Sequence, residues 1–216
     1  MRRTLETVQG IVLRGVKFSD SQQVVTVYTR QHGTMACVAP LVRTQRNRSA
    51  NLWRPLNLVE FLVPERGGSR MPRPSQPRLY VPYGNLPHNP VKCAMAIFLS
   101  DMLWHVLQAE QADEPLYGFL EGALVAFDRK EDGYANFHLA LLVELMGYLG
   151  IQPDPESPPQ PPFPLDLRVE GMDAVALNRE QRGVYLQNIT RYYQEHLAPF
   201  SVPPSLGVLQ EVFEGL

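Results

Sequence analysis

The sequence has few of the residues that build disulfide frameworks, metal clusters or membrane spans. Only two cysteines, Cys37 and Cys93, occur in 216 residues, with no CxxC pair and no metal-ligand spacing. This pattern is typical of reduced thiols in a cytosolic protein. The longest apolar run, residues 93–99, stops at Ser100 and Asp101. It is too short for a membrane span and predicts a buried helix.

The sequence also lacks the short motifs of common catalytic sites. It has no P-loop, no GxGxxG, no GxSxG and no HExxH. Asp101 and His105 lie four residues apart on a predicted helix, and His138 on another helix could join them around a metal. Because such a pair often occurs by chance and no fourth ligand is evident, we predict no catalytic residue, no metal and no cofactor.

Acidic residues are absent between Asp20 and Glu60, and this gap contains the most basic segment of the chain, residues 42–54. Arginines without neighbouring carboxylates stay in water until a polyanion binds, and a guanidinium donates two parallel hydrogen bonds to a phosphate. A solvated surface loop is the alternative interpretation. The segment contains Arg43, Arg46, Arg48, Trp53 and Arg54.

The net charge of −2 hides an uneven distribution along the chain. Residues 1–84 contain 13 basic and 4 acidic residues, a net charge of +9. Residues 85–216 contain 7 basic and 18 acidic residues, a net charge of −11. An asymmetry of this size indicates that the first part meets a polyanion and the second does not.

The first part of the chain has the alternation of short β-strands, and the second part has helical periodicity. We predict an α+β protein with a nucleic-acid-binding β-barrel at residues 1–84 and a helical domain at 85–216. The predicted strands cover residues 10–13, 24–30, 34–39, 55–63 and 78–81. The predicted helices begin near residues 90, 115, 137, 179 and 205, with Asn89 and Asn178 as caps.

Two details of the helical part are also predicted. The segment 153–164 contains seven prolines and is expected to be an extended connector, with a ligand for an aromatic groove as the alternative. The fourth helix is expected to bury Val184, Tyr185, Ile189 and Tyr192.

Small β-barrels bind single strands through a basic groove and through aromatic rings on which bases stack. The first part of the chain contains both basic and aromatic residues, and its aromatic residues include Tyr28, Trp53 and Phe18. For Tyr28 and Trp53, packing against the next domain is the alternative role. The predicted DNA-binding residues are Arg14, Lys17, Tyr28, Arg30, Arg43, Arg46, Arg48, Trp53 and Arg54.

Several short segments, in this order, resemble the RecO-type recombination mediators. Four features resemble the N-terminal OB-fold of that family: Gly10-Ile11-Val12-Leu13, Ser19-Asp20, Thr29 and Gly33. The basic loop of the family and the strand after it resemble Arg48-Ser49 and residues 52–56. The segment 136–153 resembles the family helix that ends in a Leu-Gly turn. The resemblance covers most of the chain.

The resemblance implies a non-enzymatic mediator that binds single- and double-stranded DNA and anneals complementary strands. It also implies help in loading RecA onto DNA coated by single-strand-binding protein (SSB), with RecR and the SSB C-terminal tail as partners. The tail would dock at the cationic cluster of the helical part, Arg179, Arg182 and Arg191. The other function that we consider is a protein-interaction adaptor whose barrel meets RNA or an acidic protein.

The chain departs from the family pattern at two places. Many members have a four-cysteine zinc module after the Leu-Gly turn, where this chain has the proline-rich 153–164 without cysteine. A glycine usual in the basic loop is replaced by Pro40-Leu41-Val42. Zinc is therefore not expected from the resemblance either.

The purified protein should accordingly contain no stoichiometric metal, because it has neither a thiolate cluster nor a complete set of histidine and carboxylate ligands. Elemental analysis of the protein measures this directly. About one zinc per chain would contradict the prediction and point to Asp101, His105 and His138.

Overall fold

The structure, a computed structural model, describes residues 4–41, 48–64, 71–108, 111–156 and 160–214. Within them, five antiparallel strands form one sheet in the order β3-β2-β1-β4-β5. The backbone N–H of Val38 donates to the carbonyl of Pro72 over 3.0 Å, which links the two edges of the sheet. The strands are β1 (Leu5–Lys17), β2 (Gln22–Thr29), β3 (Gly33–Pro40), β4 (Leu58–Pro64) and β5 (Ser75–Val81).

This arrangement is the five-stranded OB-fold barrel expected for the first part. Gly10 on β1 has a specific role in it, because a Cβ there would lie 2.3 Å from Val27 Cγ1 and 3.1 Å from the Tyr28 carbonyl. Gly33 begins β3 with a φ of 68°, a conformation that favours glycine. Both glycines belong to the segments that resemble the family.

Five helices follow in the described residues, so the α+β fold class is confirmed. Asn89 caps the first helix, since its Oδ1 accepts hydrogen bonds from the backbone N–H groups of Val91 and Lys92. Asn178 and Gln181 form a reciprocal capping box at the fourth. The helices are α1 (Pro90–Val106), α2 (Glu114–Arg129), α3 (Phe137–Tyr148), α4 (Arg179–His196) and α5 (Ser205–Glu214).

The chain divides into two compact units. Unit 1 contains residues 1–83 and 100–121, and unit 2 contains residues 84–99 and 122–216. α1 and α2 therefore contribute residues to both units. The division into domains at residue 84, which follows from composition and periodicity, stays a prediction.

In unit 1 the interior of the barrel is filled by apolar side chains from the strands, and Trp53 of a short 3-10 helix (Arg48–Trp53) joins them. The outer face of the barrel is covered by the end of α1, from residue 100 on, and by the start of α2, up to residue 121. Tyr117 lies 6.1 Å from Tyr28, measured between ring centroids. Tyr80 donates a hydrogen bond to Glu121, and its hydroxyl lies 2.9 Å from that of Tyr117.

In unit 2 the most completely buried helix is α3, where nine of twelve residues are buried, including His138. The inward face of α4 differs by one position from the predicted one. Leu186, Ile189 and Tyr193 are buried, whereas Val184 is 47% exposed. Ile189 is buried as predicted, and Tyr193 takes the inward position predicted for Tyr192, with its hydroxyl donating to the carbonyl of Leu142 on α3.

The proline-rich segment contains no helix or strand in its described residues, 153–156 and 160–164. The Asn188 side chain donates to the Pro162 carbonyl over 3.0 Å, and the ring of Phe163 packs edge-on against Tyr192. This part of the segment is therefore a loop held against α4. Among the described residues, no helix is long and apolar enough to cross a membrane.

A buried polar pair joins the start of α1 to the end of α2 within unit 2. The ammonium group of Lys92 donates to three carbonyls at the end of α2, those of Phe127, Asp128 and Lys130. The Asp128 carboxylate accepts from the backbone N–H groups of residues 84, 85 and 86 at 2.7–2.9 Å. Burial raises the pKa of Asp128, but these three donors and Lys92 outweigh it and hold the pKa below 3.8.

Asp128→Asn should lower the free energy of unfolding by about 1–3 kcal/mol at neutral pH, because an amide loses one of the acceptors. The pKa of Asp128 is lower in the folded than in the unfolded chain. Its stabilisation is therefore present above pH 3.8 and is lost as the pH falls through the folded value. Urea unfolding of both proteins between neutral and acidic pH measures the difference.

Asp132→Asn is the matched control, since Asp132 is an exposed aspartate just after α2. It should change the free energy of unfolding by no more than about 0.5 kcal/mol. Equal stability of Asp128→Asn and the wild type at neutral pH would contradict the role given to the Asp128 carboxylate.

Candidate nucleic-acid interface

The centre of the predicted interface is the basic segment, and the structure describes part of it. Arg43 and Arg46 lie outside the described residues. Arg48 begins the 3-10 helix (Arg48–Trp53), although its side chain is not among those described. Arg54 is exposed in the turn that follows. Hydrogen bonds from Asn57 N to the Arg54 carbonyl and from the Asn57 side chain to the 3-10 helix fix this turn.

Antiparallel pairing places the ends of the basic segment beside the β1–β2 hairpin. Gln22 pairs with Pro40, the last residue of β3, and the N–H of Leu41 donates to the Ser21 carbonyl over 3.0 Å. On the other side, the N–H of Leu56 donates to the carbonyl of Val12. We call this region the basic barrel end. It is defined by Arg14, the residues 17–22 of the hairpin, Leu41 and Arg54.

Arg14 and Lys17 are exposed at the basic barrel end. The guanidinium carbon of Arg14 lies 4.1 Å from the ring centroid of Trp104, so the cation rests on the indole ring. Stacking uses the flat face of a guanidinium and leaves its in-plane N–H groups able to reach a phosphate. Lys17 lies 3.0 Å from Asp20, but both side chains are exposed and such pairs are weak. Both cations can therefore engage an incoming anion.

Arg30 is held in a different way. Its Nη1 and Nη2 atoms each lie 2.6 Å from a carboxylate oxygen, of Glu114 and Glu121 respectively. Its guanidinium also lies over the ring of Tyr117, 4.7 Å from the centroid. A phosphate would have to displace two carboxylates, so the predicted DNA contact does not fit this structure. Sequence alone could not show that these acidic residues face the barrel.

Tyr28 and Trp53 do not fit the base-stacking role predicted for them. Tyr28 has no exposed surface and Trp53 is only 4% exposed. The Tyr28 ring packs against Tyr117, and the Trp53 ring lies 5.7 Å from that of Phe61 in the barrel interior. A base needs an open ring face, which neither residue presents. Both rings are packed, Tyr28 against Tyr117 of α2 and Trp53 inside the barrel rather than against the next domain.

The exposed aromatic residue of this region is Phe18, which was outside the predicted set. It lies in the β1–β2 turn and is 63% exposed, the largest exposed fraction among the described large hydrophobic side chains. The signal for it was available in the sequence. A bulky apolar residue beside Lys17 and next to the turn residues Ser19 and Asp20 breaks the polar pattern of a hairpin turn.

The three arginines predicted to receive a protein tail do not form one cluster in unit 2. Arg179 and Arg182 line a cavity of about 280 Å³ with His138 and Phe213, whereas Arg191 lines a separate groove of about 590 Å³ along the proline-rich loop. Burial, together with the charge of Arg182, lowers the pKa of His138 to about 3. His138 is therefore neutral at physiological pH. The charged residues lining the cavity are Arg179, Arg182 and Glu180, which leave a net charge of +1.

The residues considered for a metal site are divided between the two units. Asp101 and His105 belong to unit 1 and His138 belongs to unit 2. In the described residues, no group of three or more histidine, cysteine, aspartate or glutamate side chains could hold a metal ion. The absence of metal from the purified protein stays a prediction.

Comparison with known proteins covers nearly the whole chain. The family model "Recombination protein O N terminal" matches residues 1–80, and "Recombination protein O C terminal" matches residues 87–157. A DNA repair protein RecO of Phocaeicola vulgatus is 26% identical over 97% of this chain and 99% of its own length. The DNA repair protein RecO of Christiangramia forsetii is 28% identical over 95% of this chain and 98% of its own length.

The strand order of the barrel, the helices after it and the two consecutive family matches agree from the first strand through α3. The chain therefore belongs to the recombination protein O family of DNA repair proteins, RecO.

Proposed function

We infer that the protein binds DNA at the basic barrel end and acts as a non-enzymatic mediator of recombinational repair. In this role it anneals complementary strands and helps to load RecA onto single-stranded DNA coated by SSB. The observation that best supports DNA binding is the arrangement of exposed cations at one end of the barrel. Arg14, Lys17 and Arg54 lie there, where the acid-free basic segment leaves and rejoins the barrel.

Cations that lie close together attract a polyanion because each neutralised phosphate releases a condensed counterion. The pairing at Arg30 does not remove this attraction, since the two carboxylates involved are occupied by Arg30 itself. Contacts to phosphates hold a strand without regard to its sequence. Such binding suits annealing, in which any two complementary strands must be accepted.

Loading of RecA requires engagement of the protein that coats the strand. The cavity lined by Arg179, Arg182 and Glu180 combines a net positive charge with the ring of Phe213. This combination matches the acidic-hydrophobic C-terminal tail of SSB, which we propose as its ligand. RecR is the second proposed partner, and co-purification of the full chain with RecR tests that part of the proposal.

Replacing Arg43, Arg46 and Arg48 together by alanine should weaken binding of unrelated single strands to a similar degree. The slope of log affinity against log salt should fall by roughly 2, at about 0.7 per lost phosphate contact. Fluorescence anisotropy with labelled oligonucleotides over a range of salt concentrations gives both quantities. The same variant should anneal SSB-coated complementary strands more slowly.

A matched pair of single variants controls for net charge. Arg54→Ala should lower the slope by about 0.7. Arg129→Ala removes the same charge from an exposed position on α2 and should leave the slope unchanged. Equal slopes for the wild type and the triple variant would remove the basic segment from the interface. Steep salt-dependent binding of RNA without binding of DNA would favour the adaptor function instead.

Arg179→Glu should weaken binding of a synthetic SSB-tail peptide by about tenfold, equivalent to ~1.4 kcal/mol, because it reverses one charge at the cavity. DNA binding at the barrel should not change. Arg191→Glu is the control, since Arg191 lines the separate groove. If Arg191→Glu lost about tenfold in peptide affinity and Arg179→Glu lost none, the tail would bind in the proline-rich groove instead.

A further inference from the structure

Phe18 has a fixed position at the tip of the β1–β2 hairpin. The backbone N–H groups of Phe18 and Ser19 both donate to the carbonyl of Gln22, at 2.9 and 3.0 Å. The strands continue directly from this turn, because Lys17 pairs with Gln23. The phenyl ring is thus exposed on a hydrogen-bonded turn, and little conformational entropy is lost when a ligand contacts it.

The surroundings of Phe18 are cationic. Lys17 precedes it in the chain, Arg14 is exposed on the same strand, and the Ser21 carbonyl of the same turn is bonded to Leu41, where the basic segment begins. Asp20, in the same turn, forms a weak exposed pair with Lys17, so the excess positive charge comes from Arg14 and from the arginines of the basic segment. An aromatic ring among cations is the combination that binds single-stranded nucleic acid, with phosphates on the cations and a base on the ring.

We propose that Phe18 stacks on a base of single-stranded DNA while the surrounding cations hold the adjoining phosphates. The proposal rests on the proposed function, since it requires that DNA binds at the basic barrel end. It assigns to Phe18 the role that Tyr28 and Trp53 cannot perform from the protein interior. In an OB-fold, the loop between the first two strands is one of the loops that contact oligonucleotides.

A second copy of the chain is a less suitable occupant of this surface. The adjoining exposed apolar side chain is Val16, which is 50% exposed. One phenyl ring and one isopropyl group provide far less apolar area than the roughly 800 Å² per partner of a stable interface. The flanking cations of two identical copies would also repel each other across a symmetric contact. Single-stranded DNA suits the surface better, because its bases can stack on the exposed phenyl ring and its phosphates can pair with the flanking cations.

Phe18→Ala in the full chain tests the proposal. Affinity for a single-stranded oligonucleotide should fall by about 5- to 150-fold, the range for loss of one stacked base. The salt slope should not change, because it counts phosphate contacts. Affinity for an abasic oligonucleotide of equal length should be the same in variant and wild type. Val184→Ala, at an exposed apolar position on α4, should leave every value unchanged.

Phe18→Trp provides a readout that does not depend on affinity. Its added tryptophan fluorescence, relative to the wild type, should be quenched by the oligonucleotide with bases and not by the abasic one. Unchanged single-strand affinity in Phe18→Ala would overturn the stacking role alone. So would an equal loss on the abasic oligonucleotide, or a change of oligomeric state without DNA. If the wild type bound neither oligonucleotide, the proposed function would fail, and this inference with it.

Discussion

The organisation of unit 1 depends on the contact between Arg30 and the carboxylates of Glu114 and Glu121. Arg30 follows β2, and both carboxylates belong to α2, more than eighty positions later in the chain. The guanidinium is partly buried over Tyr117, and Tyr80 donates to the same Glu121. Removing either partner from such a site leaves a partly buried charge without compensation. The network therefore fixes which face of the barrel is covered and, by exclusion, which surface remains for a ligand.

The same network changes the meaning of the charge distribution. Counted along the sequence, the chain divides into +9 and −11 at residue 84. Residues 100–121 contain five acidic residues and no lysine or arginine, and they belong to unit 1. Unit 1 then has 13 basic and 9 acidic residues, a net charge of +4. Unit 2 has 7 basic and 13 acidic residues, a net charge of −6. The basic barrel end is thus a local feature of unit 1, and a fragment cut at residue 84 would lose the acidic partners of Arg30.

The sequence predicted those parts of the fold that depend on neighbouring residues. Strand alternation, the caps at Asn89 and Asn178 and the proline-rich loop are set by contacts within a few positions. The structure has both caps, the loop and five strands, although β1 begins at Leu5 rather than residue 10 and β4 begins at Leu58 rather than residue 55. The roles of Tyr28, Arg30 and Trp53 depend on which distant element covers them. Their residue types suit a solvent-facing DNA site and a packed face equally well. Only the three-dimensional arrangement separates the two, and it exposes Phe18 in their place.

The proposed division between phosphate contacts and one aromatic ring has a consequence for the proposed annealing activity. A protein that anneals strands must hold them and still leave their bases free to pair. In the proposed function, cations at the basic barrel end contact the backbone, which remains accessible in both single strands and duplexes. A ring such as Phe18 occupies one base, and in a duplex that base is stacked between its neighbours and unavailable to it. In the proposed function, formation of the duplex releases the stacking contact and keeps the phosphate contacts, so the protein binds the paired product more weakly than the captured strand. Base pairing supplies the free energy of annealing, and the lost stacking contact favours release of the product.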